Sequence, residues 1–263
     1  FGIPVEEFHR QNRQRLRRWP QAMVNSSTHD TKRSEDVRAR ISALSHNPPA
    51  WRAAINRWSR LNRKLKRTID GALAPHRADE YVVYQTLVGT WPLEGIRNTD
   101  RAAYSERLQE YMIKVLREAG RFSNWTNPDD TYEGALRAFI GGLFNLRRSG
   151  RFLDDAEAYI DTVLTPGLQH ALGAHVLKLT SPGVPDIYQG TERWDDSLVD
   201  PDNRRPVDFD AIEALAERHG SIAEAWEHRR DGAVKVMVTR SLLRLRAEHP
   251  ELFAAGDYVA VPV

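Results

Sequence analysis

Two stretches of this sequence gather side chains that can work on a ligand rich in hydroxyl groups. The first is Thr28-His29-Asp30-Thr31-Lys32-Arg33, where a carboxylate stands beside an imidazole and two cations. An aspartate in such a place accepts hydrogen bonds from two hydroxyls and stabilises positive charge developing next to it. A commoner use competes: Asp30 or Thr31 caps the following helix while Lys32 and Arg33 are solvated. The second stretch is Tyr188-Gln189-Gly190-Thr191-Glu192, continuing to Asp200-Pro201-Asp202-Asn203-Arg204-Arg205-Pro206. Asp202 and Arg205 either pair with each other on an Asp-Pro turn or fork onto ligand hydroxyls.

The elements that must carry these loops read as mostly helix with two short buried strands. Ala22-Met23-Val24 is an apolar run opening into the first loop, and Val184 to Tyr188, entered through Pro182-Gly183, leads into the second. Residues 5–19 predict a helix ended by Pro20, and Ser34 reads as an N-cap with Glu35 and Asp36 in the first turn. Asn47-Pro48-Pro49 stops that second helix. Trp51, Ile55, Trp58, Leu61, Leu65 and Ile69 then step by three and four, which predicts one amphipathic helix. Further helices are expected over 78–87, over 104–119 with Gly120 closing it, and from Asn127-Pro128 to about Arg148. Others are expected over 154–164, 168–180, 210–230 and 235–248, and 258–263 alternates like a strand. Carboxylate-rich loops after two strands suit a barrel of alternating strands and helices, whose chemistry sits at strand C-terminal ends.

Composition narrows the function classes. The 263 residues are 41% hydrophobic and 28% charged, with no Cys, which excludes a disordered chain, a disulfide scaffold and thiol chemistry. No apolar run is long enough to cross a membrane. The start, FGIPVEEF, carries neither a signal nor a transit pattern and reads as the interior of a longer polypeptide, with a cytoplasmic location expected. His9, His29, His46 and His76 show no ligand spacing, and neither a nucleophilic-serine elbow nor a glycine-rich phosphate loop occurs, so no metal and no cofactor are expected. Residues 1–67 hold 16 Lys/Arg against 5 Asp/Glu, a net of +11, whereas the rest hold 22 against 31, a net of −9. Such asymmetry suits either a nucleic-acid face or a segment that packs on an acidic surface, including another part of the same polypeptide.

At the two loops the sequence resembles the α-amylase family, glycoside hydrolase family 13. Met23-Val24 leading to His29-Asp30 is similar to the family's strand 7, and Pro182-Gly183-Val184-Pro185-Asp186-Ile187-Tyr188-Gln189-Gly190-Thr191-Glu192 to its strand 8. Thr28 through Arg38 (THDTKRSEDVR), Tyr84 through Gly89 and Asp200 through Pro206 resemble one branch, the (1→4)-α-glucan 1-α-glucosylmutases that form maltooligosyltrehalose. Thr28, where many amylases place Asn, agrees with that branch. The resemblance implies the C-terminal part of a (β/α)8 TIM barrel with a long helical insertion. Its parts would be a barrel segment over 1–47, the insertion over 48–166, a second barrel segment over 167–250, and the start of a truncated β-region over 251–263.

It also implies roles. Asp30 becomes the third catalytic carboxylate, stabilising an oxocarbenium-like transition state, and His29 hydrogen-bonds the sugar in the −1 subsite. Lys32, Arg33, Asp202 and Arg205 become substrate-binding residues. The nucleophile and acid/base, about 5–5.5 Å apart in retaining glycosidases, would come from strands 4 and 5 upstream of residue 1. The implied partners are therefore a maltooligosaccharide and the N-terminal part of the same enzyme, with no nucleic acid and no membrane, and the chain alone would be inactive. A retaining α-glucan hydrolase is the alternative within the family. A basic helical nucleic-acid-binding module, resting on Trp51 and Trp58 among arginines, is the alternative outside it.

Overall fold

Side-chain caps decide where most helices begin. Ser34 accepts a hydrogen bond from the Val37 amide (3.4 Å), Asn47 from Ala50 (3.1 Å), Asp100 from Ala102 and Ala103, Asp129 from Tyr132, Asp208 from Ala211 and Ser221 from Glu224. The structure, a computed structural model, describes residues 2–261. In chain order these form α1 (Val5–Arg18), β1 (Met23–Val24), α2 (Glu35–Ser42), α3 (Pro48–Asn62), β2 (Arg67–Ile69), β3 (Ala72–Ala74), α4 (Arg77–Thr90), α5 (Arg101–Ala119) and α6 (Asp130–Leu143). There follow α7 (Leu146–Thr180), β4 (Val184–Pro185), α8 (Phe209–Ala216), α9 (Ile222–Glu227), α10 (Ala233–Glu248) and α11 (Pro250–Ala255). The chain is thus mainly helical, and among the described residues no helix is long and apolar enough to cross a membrane.

The residues divide into two compact units, one of His29–His170 with Asp196–Arg205, the other of the chain up to Thr28, Ala171–Asp195 and everything from Pro206 on. The His29–His170 unit has an aromatic centre. Trp58, fully buried, meets Trp51, Tyr84, Phe152 and Tyr159 edge-on at 5.4–5.8 Å between ring centroids. Such edge-to-face pairs add about 0.5–1.5 kcal/mol each beyond the area they bury. The Trp58 indole N–H donates to Asp155 (2.7 Å), whose two oxygens also take the Arg57 fork. Buried Glu80 accepts from Lys66 (2.6 Å), Tyr84 (2.9 Å) and Ser59 (3.2 Å), so the charge is taken inside only with its partners. With Trp51 and Trp58 in this core, the arginines around them have no stacking surface to share. The stacking half of the case for a nucleic-acid module is thereby removed, while the net charge of +11 over residues 1–67 stands.

Several expected elements change. The helix expected over Trp51–Ile69 ends at Asn62; after a 3₁₀ turn over Arg63–Leu65 the chain makes the antiparallel hairpin β2–β3, Ile69 facing Ala72. Asp70 and Gly71 both have positive φ, 49° and 79°, as a two-residue hairpin turn requires. That turn chemistry outweighs the helical spacing. The helix expected from Asn127 begins at Asp130, because the Asn124 carboxamide instead accepts from the Thr126 and Asn127 amides. The helices expected over 154–164 and 168–180 are one, α7, which departs from helical angles at Ser149 and runs through Pro166. Burial of Leu164 and Leu168 on either side holds it together across the lost amide. Gly167 follows, where a Cβ would lie 2.9 Å from the Arg40 Cα.

In the other unit α8, α9 and α10 enclose Ile212, Leu215, Ala225, Val234 and Met237. The helix expected over 210–230 breaks at Glu217–Ser221, where Ser221 starts a new cap. β1 and β4 pair in parallel, Met23 beside Val184, although some 160 residues separate them. Neither is buried as expected: Met23 is 70% and Val184 49% exposed, since among the described residues this sheet has two strands and no covering layer. The strand expected over 258–263 is absent over 258–261, where the Tyr258 hydroxyl bonds His9 Nδ1 (2.7 Å) and Asn12 (3.2 Å). Pro262 and Val263 lie outside the described residues.

Candidate functional site

The two polar loops are far apart in sequence but meet in space. Arg33 bridges Leu198 in antiparallel fashion, the Ser34 amide donates to the Ser197 carbonyl (3.0 Å), and the Asn203 carboxamide donates to the His29 carbonyl (2.9 Å). His29–Ser34 therefore runs along Asp196–Arg205, with the backbone of His29 tied to the second loop.

His29 and Asp30 stand at the open rim of this arrangement. Their side chains are 59% and 84% exposed, and His29 Nε2 lies 3.4 Å from Asp30 Oδ2. Asp30 does not cap α2, since Ser34 does. Lys32 reaches Glu118, on the last turn of α5, at 2.7 Å. Arg33 turns inward, donating to the Thr86 hydroxyl of α4 (3.3 Å) and to Tyr111 of α5, and its Nε is buried without a partner.

Asp202 and Arg205 belong to a charge cluster centred on Arg107 of α5. Arg107 Nε meets Asp202 Oδ1 at 2.7 Å, its Nη1 meets Asp196 Oδ2 at 2.7 Å, and its Nη2 donates to the Asp196 carbonyl. The second Asp202 oxygen accepts from the Leu198 amide (2.7 Å). Arg205 lies 3.4 Å from Asp202 and 2.9 Å from Asp196. Lys114, two turns further along α5, donates to the Asp200 carbonyl (2.8 Å). The expected Asp202–Arg205 pairing is thus present inside a larger network, and both Asp202 oxygens are occupied by it.

Arg107, Asp196 and Asn203 were not singled out from the sequence. Asp196 sits in the visibly acidic Trp194-Asp195-Asp196 run, but nothing local marks Arg107, one arginine among many on an amphipathic helix. Tyr188 and Glu192, from the start of the second polar stretch, lie in the other unit. There Glu192 lines an apolar hollow of about 410 Å³ with Ile212, Val236 and Leu243.

Burial pushes the Asp196 carboxyl upward, but the Arg107 and Arg205 guanidinium groups outweigh it and bring the pKa down to about 2. Arg117 likewise holds Glu133 below the usual carboxylate range, and at Asp155 the Arg57 and Trp58 bonds outweigh burial. Carboxyls depressed in the folded state contribute stability that is complete above their unfolded pKa of about 4 and is lost as pH falls through the folded value. The urea midpoint is therefore expected to fall steadily from pH 4 to pH 2, after a smaller decline below about pH 6.5 from His170, whose imidazole is held below its ordinary value by burial and by His46. A midpoint that rises on acidification would contradict the charge network.

Comparison with known proteins finds similarity to proteins that share one name. No protein-family model matches it. Putative maltooligosyl trehalose synthases of two Mycobacterium tuberculosis strains are 38% identical over 258 residues, 98% of this chain. The chain spans about 30% of the length of these curated relatives. Solved structures agree. A maltooligosyltrehalose synthase of Arthrobacter ramosus superposes with a TM-score of 0.76 at 39% identity, covering 97% of this chain and 31% of that one. A crystal structure of a maltooligosyl trehalose synthase gives 0.87 at 32% identity, covering 100% and 34%. A hypothetical maltooligosyl trehalose synthase of Sulfolobus tokodaii gives 0.81 at 35%, covering 100% and 33%.

Proposed function

We propose that this chain is the part of a maltooligosyltrehalose synthase, a cytoplasmic enzyme of the α-amylase family, that brings one carboxylate of three to the reacting sugar. The observation that carries this reading is the likeness to such synthases along 98% of the chain at 38% identity. The parallel pairing of β1 with β4 supports their assignment as barrel strands 7 and 8, with residues 48–166 inserted between the segments 1–47 and 167–250. Over the residues described beyond 250 a helix, α11, stands where a β-region is expected to begin. In a (β/α)8 barrel, residues after strand C-terminal ends form the active face, where Thr28–Arg33 follows β1.

In this reaction the reducing-end glucose of a maltooligosaccharide is detached as its α-1,4 bond breaks, with the glucan held on a nucleophilic carboxylate. The detached glucose turns in place, and its anomeric hydroxyl attacks the glycosyl carbon as the carboxylate leaves. The acid/base carboxyl first gives and then takes the proton. Nucleophile and acid/base come from outside these 263 residues. Asp30 faces the positive charge that develops on the ring at each step, and His29 and Lys32 orient hydroxyls. The Arg107–Asp196–Asp202–Arg205 cluster holds the loop against which His29 rests. Water attacking the intermediate would release glucose instead, so the helical insertion is assigned the task of excluding it.

The test is product analysis of the whole enzyme with maltopentaose. Reducing ends are expected to disappear with little glucose released, leaving a non-reducing α,α-1,1-linked end. A rise in reducing ends would identify an α-glucan hydrolase and overturn the synthase reading.

A further inference from the structure

The Trp125 indole is 57% accessible, yet it is held in place. Its neighbours on both sides are tied down: buried Ser123 donates to Glu133, and the Asn124 carboxamide accepts from the Thr126 amide (3.0 Å), the Asn127 amide (2.8 Å) and the Thr126 hydroxyl (2.7 Å). The Arg117 guanidinium lies 5.2 Å from the centroid of its ring and is itself fixed by a two-point fork on Glu133 at 2.8 and 2.7 Å. Three residues earlier Phe122, 36% exposed, stacks on Tyr132 at 4.6 Å. An apolar ring of this size left in water while its backbone and supporting cation are immobilised is a preorganised surface.

The charges around it select among occupants. Arg117 is paired with Glu133 and Lys32 with Glu118, and the cation Arg121, 5.3 Å from the Phe122 centroid, is set against the further carboxylates Asp130 and Glu110 near Arg117. The surroundings therefore lack the excess of cations that a nucleic-acid strand needs beside its stacked bases. A neutral ligand with a flat C–H face and a rim of hydroxyls fits better, which describes a pyranose. Position points the same way: Arg117, under Trp125, and Glu118, holding Lys32, are consecutive residues on the last turn of α5.

We propose that Trp125 is a stacking platform for a glucosyl unit of an α-1,4-glucan, beside the candidate site but away from the reacting bond. The identity of the glucan rests on the synthase reading, whereas the platform does not. The 263-residue chain is expected to be retarded in native gels containing soluble amylopectin. W125A should weaken that binding at least about fivefold, equivalent to about 1 kcal/mol, with an unchanged thermal midpoint. W19A, which removes an equally exposed tryptophan of the other unit (60% accessible), should leave it unaltered.

In the whole enzyme W125A should raise KM for maltoheptaose while leaving kcat, and all constants for maltotriose, as they were. Retention of amylopectin binding by W125A, or no retardation of the wild-type chain, overturns the platform. Equal binding of cellohexaose overturns its α-glucan preference, and displacement by a single-stranded oligonucleotide overturns its sugar character. Trp125-dependent retardation in a protein that makes no trehalose-ended product would leave the platform standing while the synthase reading falls.

Discussion

Under the proposed function, D30N is expected to lower kcat of the whole enzyme about 10³-fold, equivalent to about 4 kcal/mol of transition-state stabilisation, with KM changed by less than about threefold. The substitution keeps the shape of the side chain and one acceptor oxygen, so contacts to substrate hydroxyls in the ground state largely persist. It removes the negative charge, which matters when the sugar ring becomes cationic. Stability supplies the control. The carboxylate is 84% exposed, caps no helix, and has His29 at 3.4 Å as its neighbour. Surface changes of this kind move stability by less than about 0.5 kcal/mol. A large fall in kcat with an unmoved thermal midpoint distinguishes a group that acts on substrate from one that shapes the loop. Activity within tenfold of wild type would remove Asp30 from the catalytic set.

The local half of this architecture is readable from the sequence, and the distant half is not. Ser34 and Gly120 close helix ends through their own neighbours, so residue type suffices. The hairpin at Asp70-Gly71 is written in the sequence too, but the four-residue steps run through β2 as far as Ile69 and hide the strand that leads into the turn. Pro166 misleads in the opposite direction: it is a breaker by type, and the helix survives it because Leu164 and Leu168 are buried. For the site the pattern repeats. Both polar loops stand out by composition, and Asp202 does lie beside Arg205. What brings the loops together, Asn203 on the His29 carbonyl and Arg107 at the centre of the acidic cluster, is long-range and has no local signature. Arg33, adjacent to Lys32, turns the other way because Thr86 and Tyr111 give its guanidinium partners inside.

Arg107 is the residue whose loss should cost the fold most. Its side chain is 15% exposed and Asp202 is 12% exposed, so this pair is largely withdrawn from water, whereas Asp196 at 42% retains much of its solvation. R107M keeps most of the aliphatic volume and removes the charge, leaving the Asp202 carboxylate nearly buried with the Leu198 amide and, as its cation, only the partial company of Arg205. Breaking a buried pair in this way costs about 3–5 kcal/mol, which at about 2–4 °C per kcal/mol for a chain of this size is a fall of about 10 °C in the thermal midpoint. R107K should recover only part of this, because an ammonium cannot span three oxygens at the angles the guanidinium fork holds. Adding D202N to R107M removes the stranded charge and should restore part of the midpoint, showing that the cost lies in the unpaired carboxylate rather than in lost packing. The loop that Arg107 clamps also carries Asn203, the donor to the His29 carbonyl. R107M should therefore lower kcat at temperatures where the protein is still folded, and the R107M/D202N pair should regain stability without regaining that rate. A midpoint within 2 °C of wild type would show that the cluster is not what holds the two loops together.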